Sequence, residues 1–410
     1  MSERGREKPR RTGSGRTGSG RAAVRAASVA AAAVCALQAI GPAWLAVVFP
    51  SLSPFTGLLA AVAGAVSVLL WAAAAVAAVC LFLPRFFCRW ICPAGACFEA
   101  VGLRARRRAW VGRVPRVGVG LVLVGAGAAV LGYPLFGWLD PLVMFQAFFA
   151  FFRPHAGVWE GGAAAGLPLL ILAALLAPGL WCGRLCPLGA TQDLLRGAVT
   201  WRRAGGDAAS RASRGGGAGR RVFLGLGAGA AYRLLLPPER TEARAEAIRP
   251  PASGTAARFT RLCARCGNCV RACPSNILHG GGVGAGLAGV LAPEVRFGEE
   301  YCPVTCTVCG QVCPTGAIPR FTRQNKFREP MGCAKVDHAL CLLAEGRECG
   351  SCVAACPEEA LDFAWDPDEL VSRVTVDANA CTGCGYCEYV CPAVVKAIRI
   401  RAPRRKEEAG

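Results

Sequence analysis

Apolar residues crowd the first half of this chain in four long runs, roughly Ala26–Val48, Phe55–Leu83, Val117–Leu135 and Ala163–Trp181. Each is long enough, or nearly so, to cross a hydrocarbon layer of about 30 Å. The turns between them are short and proline-bearing (Pro50, Pro54) or long and basic. A further apolar stretch, Leu142–Phe152, reads LVMFQAFFAFF and is too short to span. It is expected to lie at the outer interface or dip back among the helices, in a packing or anchoring role. From about residue 258 the long runs stop, and short β-prone stretches such as Val374–Val376 and Ala397–Ile400 take their place.

Composition agrees with this division. The chain has 410 residues, room for two or three domains, and is 53% hydrophobic with a mean hydropathy of +0.38. Its net charge of +20 is uneven: residues 1–236 carry +19 and residues 237–410 only +1. The excess sits in loops, with eight arginines between Arg85 and Arg116 and eight more between Arg184 and Arg221, while the opposite loops hold only Arg153. That is the pattern of cytoplasmic loops of a membrane protein rather than of a nucleic-acid binder. It places the chain in a bacterial inner (plasma) membrane with the N-terminus and both Arg-rich loops cytoplasmic.

Residues 1–25 read as a disordered basic tail, 26–201 as a four-helix membrane domain, and 202–221 as a Gly/Ala/Ser/Arg linker. Residues 220–238 open with Arg220-Arg221, then Phe223-Leu224 and a weakly apolar Gly/Ala stretch. This has the form of a twin-arginine export signal, or of a fifth membrane segment. The export reading has a physical logic, because twin-arginine export moves folded proteins and a metal-cluster domain folds around its metal. It puts the domain at 258–405, after a linker at 239–257, outside the membrane; without crossing, that domain stays cytoplasmic.

The chemistry is carried by cysteine, of which there are 24 against 3 histidines. So few histidines, with no C-x-x-C-H, leave iron–sulfur clusters rather than haem to move any electrons. Cys263, Cys266, Cys269, Cys273 and Cys381, Cys384, Cys387, Cys391 both follow C-x2-C-x2-C-x3-C-P. Two variants lie between them: Cys302, Cys306, Cys309, Cys313, and Cys341, Cys349, Cys352, Cys356. Three thiolates on a tight loop wrap three iron corners of a cubane, and the fourth starts the next element and reaches a different cubane. The proline stops the helix from running back over the cluster. Four thiolates also suit zinc, but zinc knuckles do not need this repeated register. Four 4Fe-4S clusters are therefore expected. Ligation is expected to nest, with Cys391 completing the first triad, Cys273 the last, Cys356 the Cys302 triad and Cys313 the Cys341 triad; self-contained motifs are the alternative. Cys333 is left over as a non-ligand.

Two more motifs, Cys88-x3-Cys92-Pro and Cys182-x3-Cys186-Pro, each continue as x-G-A just past an apolar run. They suggest an internal repeat. Their four thiols could hold one more cluster, serve redox exchange, or merely pack in paired turns; Cys35, Cys80 and Cys97 are expected only to pack.

These motifs resemble known families. The two C-x3-C-P motifs behind membrane helices resemble the NapH/NosR group of membrane polyferredoxins. The arginine pair followed by four cluster motifs resembles the NapG/MauM group of ferredoxins, accessory electron carriers of nitrate reductase and methylamine dehydrogenase systems. The chain looks like a fusion of the two across most of residues 30–405. It lacks the separate cytoplasmic ferredoxin motifs usual in NapH-type proteins and the flavin domain of NosR-type ones. The expected fold is a membrane α-helical bundle of four to five transmembrane helices plus an α+β ferredoxin-like domain with four 4Fe-4S motifs.

The resemblance implies quinol-linked electron delivery to or from a redox partner protein, a reductase or dehydrogenase. Asp140, Gln146, His155 and Glu160 are the polar groups near Leu142–Phe152 that could handle quinol protons. No residue reads as a nucleophile, so the chain is expected to be an electron-carrier subunit rather than a complete enzyme. The alternative reading is a redox or metal maturation or sensing factor for a membrane oxidase or reductase.

Overall fold

The computed structural model describes residues 15–37, 45, 47–63, 68–102, 109–131, 134, 136–152, 162, 164–203, 223–229, 231, 247–282, 289, 291–298, 300–366 and 371–402. Among the described residues, eight helices of nine residues or more build the first half: α1 (Gly15–Leu37), α2 (Pro54–Val62), α3 (Val68–Phe82), α4 (Pro93–Gly102), α5 (Val117–Val130), α6 (Pro141–Ala150), α7 (Gly166–Leu176) and α8 (Pro187–Arg203).

Helix α1 starts inside the stretch expected to be a disordered tail. It is held there by its own arginines: Arg21 and Arg25 both pair with Glu99 and both donate to the Arg89 carbonyl. The expected run Phe55–Leu83 is not one span. Ser53 caps α2, whose first residue is Pro54, the chain turns at Ala63, and α2 packs back along α3. Gly57 permits this, since a Cβ there would lie 2.5 Å from the Ala73 Cβ. Among the described residues two helices are long and apolar enough to cross a membrane, Gly20–Leu37 and Ala109–Val130; Leu70–Phe82 and Gly166–Leu176 are shorter apolar helices. Of the four to five spans expected from the runs, these two have the length and composition among the described residues, and the other apolar helices are shorter. The outward faces of α3 and α7 expose Trp71, Phe82, Leu169, Leu172 and Leu176, an apolar surface.

The stretch Leu142–Phe152 dips inward. Its helix α6 buries Leu142, Val143, Phe145 and Gln146 against α1, α4 and α7. Asp140, fully buried, caps α6 by accepting from the Leu142 N–H at 2.9 Å and also accepts from the hydroxyls of Ser53 and Thr56 at the start of α2. Two helix N-termini therefore converge on one carboxylate, the charge their dipoles favour.

Residues 247–402 form two units with separate cores. Phe259, Ile277, Val295, Val312, Ile318 and Met331 fill the first; Ala334, Leu361, Val374, Ile398 and Ile400 fill the second. Strands β1 (Leu278–Gly280) and β2 (Pro293–Val295) pair antiparallel in the first unit. In the second, β3 (Cys333–Val336) pairs with β6 (Ile398–Arg401), and β4 (Leu361–Asp366) with β5 (Val371–Val376), also antiparallel. The units meet where the Cys302 N–H donates to the Cys384 carbonyl at 2.8 Å and the rings of Tyr301 and Tyr386 stack at 4.1 Å.

The first unit also touches the helical half. Val47 is buried in its core, and a Cβ at Gly137 would lie 2.4 Å from the Ala264 carbonyl oxygen. Both residues follow the C-terminal ends of α1 and α5. The N-terminal ends of those helices lie at Arg89 and at Leu185–Cys186. The cysteine-rich half therefore sits at the end of the bundle away from the basic loops. Residues 223–229, within the export-like segment, are helical and lie along α5: Cβ atoms at Gly225 and Gly229 would meet the Leu123 Cβ at 2.8 Å and the Val124 carbonyl at 2.2 Å. Such small-residue contacts are how helices approach closely in lipid.

Candidate iron–sulfur centres

Three of the four C-x3-C-P motifs in the second half share one design; in the other, the helix Val308–Gln311 closes one residue earlier, at Val312. A short helix (Asn268–Ala272, Ser351–Ala355 or Tyr386–Val390) ends at the cysteine before proline, which adopts φ/ψ of −68/116°, −67/111° and −60/120° at Cys273, Cys356 and Cys391. Proline forbids its predecessor the helical region, so the chain extends and swings this fourth thiol away from its own triad. At Gly385, φ is +83° and a Cβ would lie 2.2 Å from the Phe297 ring, so only glycine fits this close turn.

The fourth thiol reaches the adjacent motif. Cys313 lies among Cys263, Cys266 and Cys269, close enough for their charges to interact, and Cys273 lies among Cys302, Cys306 and Cys309. In the second unit Cys356 lines one hollow with Cys381, Cys384 and Cys387, and Cys391 lines another with Cys341, Cys349 and Cys352. The expected nested pairing is therefore corrected: motifs one and two exchange their fourth cysteines, as do motifs three and four. Two compact units, each with its own core and strand pairs, bring neighbours in sequence together before distant motifs can meet. Cys333 stands beside the Cys381 quartet, and its thiol donates to the Ala334 carbonyl at 3.5 Å.

The quartets suit cubanes. Burial pushes the Cys266 thiol up to about 12 and Cys302 up to about 11, so thiolates here need a cationic core to offset their charge. Backbone N–H groups point at sulfur: Arg265 at Cys263 (3.4 Å), Ile318 at Cys313 (3.4 Å) and Ala360 at Cys356 (3.3 Å). Lys326 is only 2% exposed; its Nζ donates to the Pro303 carbonyl at 2.8 Å and lies 3.6 Å from Cys302 Sγ.

In the bundle, Cys88, Cys92, Cys182 and Cys186 come together, each within electrostatic reach of others of the set. The repeat is visible in detail. Gly95 and Gly189 donate their N–H to Cys92 Sγ (3.3 Å) and Cys186 Sγ (3.5 Å), and added Cβ atoms would crowd the carbonyls of Cys88 and Cys182, each at 3.3 Å. Seven residues past each second cysteine stands an acid, Glu99 or Asp193, paired with an arginine. Arg85 grips Asp193 at 2.7 and 2.5 Å and donates to the Cys182 carbonyl at 3.0 Å. Gln192 donates to Cys88 Sγ at 3.0 Å, and its Oε1 faces the buried Cys80 thiol.

Gln192 and Lys326 were not singled out in the sequence, and Arg85 stood there only among the basic-loop arginines. Gln192 and Asp193 could have been found from their place six and seven residues past Cys186. Of the groups considered for quinol protons, Asp140 is engaged as a cap, Gln146 donates to the Ala32 carbonyl at 3.3 Å and keeps a buried Oε1 without a hydrogen-bond partner, and His155 and Glu160 lie outside the described residues.

Comparison with known proteins bears on both halves. The 4Fe-4S dicluster domain family matches residues 262–317 and 347–395, and the 4Fe-4S binding domain family matches 64–110 and 161–204. A methylamine utilization ferredoxin-type protein MauM of Methylophilus methylotrophus is 34% identical over 195 residues, 44% of this chain and 83% of that protein. The chain belongs to the MauM/NapG family of ferredoxin-type proteins. The ferredoxin-type protein NapG of Escherichia coli is 32% identical over 200 residues, covering 44% of this chain and 85% of its own length. The ferredoxin-type protein NapF of the same organism is 33% identical over 146 residues, 35% of this chain and 80% of that protein. No solved structure matches. This MauM/NapG-type chain is thus an iron–sulfur protein, and its second family match falls on the two C-x3-C-P motifs of the bundle.

Proposed function

We propose that this chain is a membrane-anchored electron carrier that passes electrons, quinol-linked, to or from a redox partner enzyme, a reductase or dehydrogenase. The observation that carries the reading is the assembly of sixteen cysteines into four thiol quartets by exchange between neighbouring motifs. Each quartet would hold one 4Fe-4S cluster, the group that supplies one-electron chemistry when bound. Cys88, Cys92, Cys182 and Cys186 would hold a fifth, in a bundle of NapH/NosR type fused to the ferredoxin half. Gln146 offers the remaining buried acceptor for a quinol hydroxyl. The Arg-rich end of the bundle faces the cytoplasm, and the cysteine-rich half, at the other end, lies outside. The placement of residues 223–229 along α5 supports a segment that crosses and stays as an anchor.

Anaerobic purification tests the reading. A brown protein with about twenty irons per chain, four for each of five cubanes, and reducible electron paramagnetic resonance (EPR) signals is expected; colourless protein without iron would sink it. Side is tested by protease access to a C-terminal tag in spheroplasts. The tag should be cleaved in the natural chain and protected when Arg220→Lys and Arg221→Lys are combined. Protection in both would move the domain, and its partner, to the cytoplasm. A maturation or sensing role predicts instead that loss of the chain leaves a partner oxidase or reductase without its metal.

A further inference from the structure

Five thiol quartets in one chain raise the question of how an electron passes from the bundle to the domain at its far end. Cys92 opens α4, and α4 packs on α6. The Cys92 thiol lies within electrostatic reach of Asp140, the cap of α6. Three residues before Asp140 is Gly137, whose backbone abuts Ala264 so closely that a single added carbon would collide. Ala264 is buried between Cys263 and Cys266, two members of the first quartet. Beyond it the quartets follow in line. Cys269 of the first is close to Cys309 of the second. Cys302 of the second donates its N–H to the Cys384 carbonyl of the third. Cys387 of the third is close to Cys352 of the fourth, the Cys341 quartet, in which Cys341, Cys349 and Cys352 are half-buried and Cys391 is buried.

We infer that electrons cross from the bundle to the cysteine-rich half within this one chain, through the Gly137–Ala264 contact, with no mobile carrier between the two. The inference rests on the function proposed above. With a cluster bound at each site, one electron would leave the reduced centre held by Cys88, Cys92, Cys182 and Cys186 and reduce the one held by Cys263, Cys266, Cys269 and Cys313; no bond forms or breaks. A membrane quinol supplies the electrons, two such transfers oxidising it to quinone with its two protons released to water. Electron tunnelling weakens exponentially with separation, so the backbone contact of Gly137 with Ala264 shortens the step by bringing the two halves together. Glycine at 137 is then a positioning residue: it has no side chain because one would hold the two halves apart.

The test uses the full chain in proteoliposomes with the basic end of the bundle facing the medium. The membrane-impermeant reductant titanium(III) citrate is added outside, and bleaching of the cluster absorbance is followed by stopped flow. A fast phase involving the enclosed clusters is expected in the natural chain. It should be lost in Cys88→Ala combined with Cys182→Ala, and in Gly137→Leu, with iron at the four ferredoxin quartets and their potentials unchanged. Gly137→Ala, the smallest intrusion, should slow the phase without abolishing it, and stands in should the leucine variant fail to assemble. An undiminished fast phase in Gly137→Ala or in the double cysteine variant would overturn the inference, as would enclosed clusters that bleach only when reductant is trapped inside. Loss of iron from the natural chain would instead overturn the proposed function, so the two failures are distinguishable.

Discussion

Removing the charge of Lys326 should lower the potential of one cluster and leave the others where they are. Its Nζ lies 3.6 Å from Cys302 Sγ, in a site 2% open to water, so solvent does little to screen it. An electron added to a cubane spreads over the core, roughly 6 Å from the ammonium; at an effective dielectric of about 20 the attraction is about 3 kcal/mol. With 59 mV for each 1.4 kcal/mol in a one-electron couple, that is ~120 mV, of which relaxation around the site will take part. Lys326→Met is therefore expected to shift a single midpoint down by ~50 to ~120 mV in an EPR-monitored redox titration. Lys326→Gln separates charge from hydrogen bonding, because it can still donate to the Pro303 carbonyl yet carries no charge. It should fall nearly as far as the methionine variant. If every midpoint stays within ~20 mV of its natural value while iron is retained, the charge does not act on a cluster and the reasoning fails.

Other outcomes follow from the same geometry. Cys313→Ala should alter the EPR signal of the Cys263 quartet and spare the Cys341 one, where nested ligation would do the reverse. Asp140→Ala strips the cap from α6 and leaves two buried hydroxyls without their acceptor, so thermal unfolding in detergent should show a loss of about 2–4 kcal/mol; a change near zero would mean the carboxylate is not holding α2 to α6. Gly229→Leu would drive a side chain into the α5 backbone at Val124 and Ala128, and should release the 223–229 segment to cross-linking or proteolysis that the natural chain resists. Gln192→Leu removes the one side-chain donor to Cys88 Sγ among the described residues and should lower the potential of the bundle centre, read by the same titration, without changing the ferredoxin midpoints.

The thiols were legible in the sequence because cluster ligation is written locally: a triad and its proline fit within 12 to 17 residues, and chain stereochemistry does the rest. Which triad receives Cys273 or Cys313 is not local. It depends on the strand pairs β1–β2 and β3–β6 and on two apolar cores, and apolar residues there recur in strands too short to have a clear period. The bundle was legible as apolar runs, but run length does not reveal a fold-back. Gly57 against Ala73 turns one expected span into a hairpin, and nothing in an Ala/Val/Leu stretch marks that glycine as a contact. Lys326 was invisible for a different reason. A lone lysine among surface-like Arg, Gln and Asn residues has no signature until the fold buries it beside sulfur.

Exchange between neighbouring motifs also fixes an order of manufacture. All eight thiols of the first two quartets have emerged from the ribosome once residue 313 has, and neither quartet takes a thiol from residues 331–402. Nested ligation would have left Cys263, Cys266 and Cys269 waiting for Cys391, with half-made sites exposed to oxygen throughout translation. The loop joining Cys263 to Cys313 spans 50 residues rather than the 128 to Cys391, a saving of only about 0.8 kcal/mol in closure entropy, so the advantage lies in time more than in energy. Iron delivery to this protein can begin while its last quarter is still unwritten.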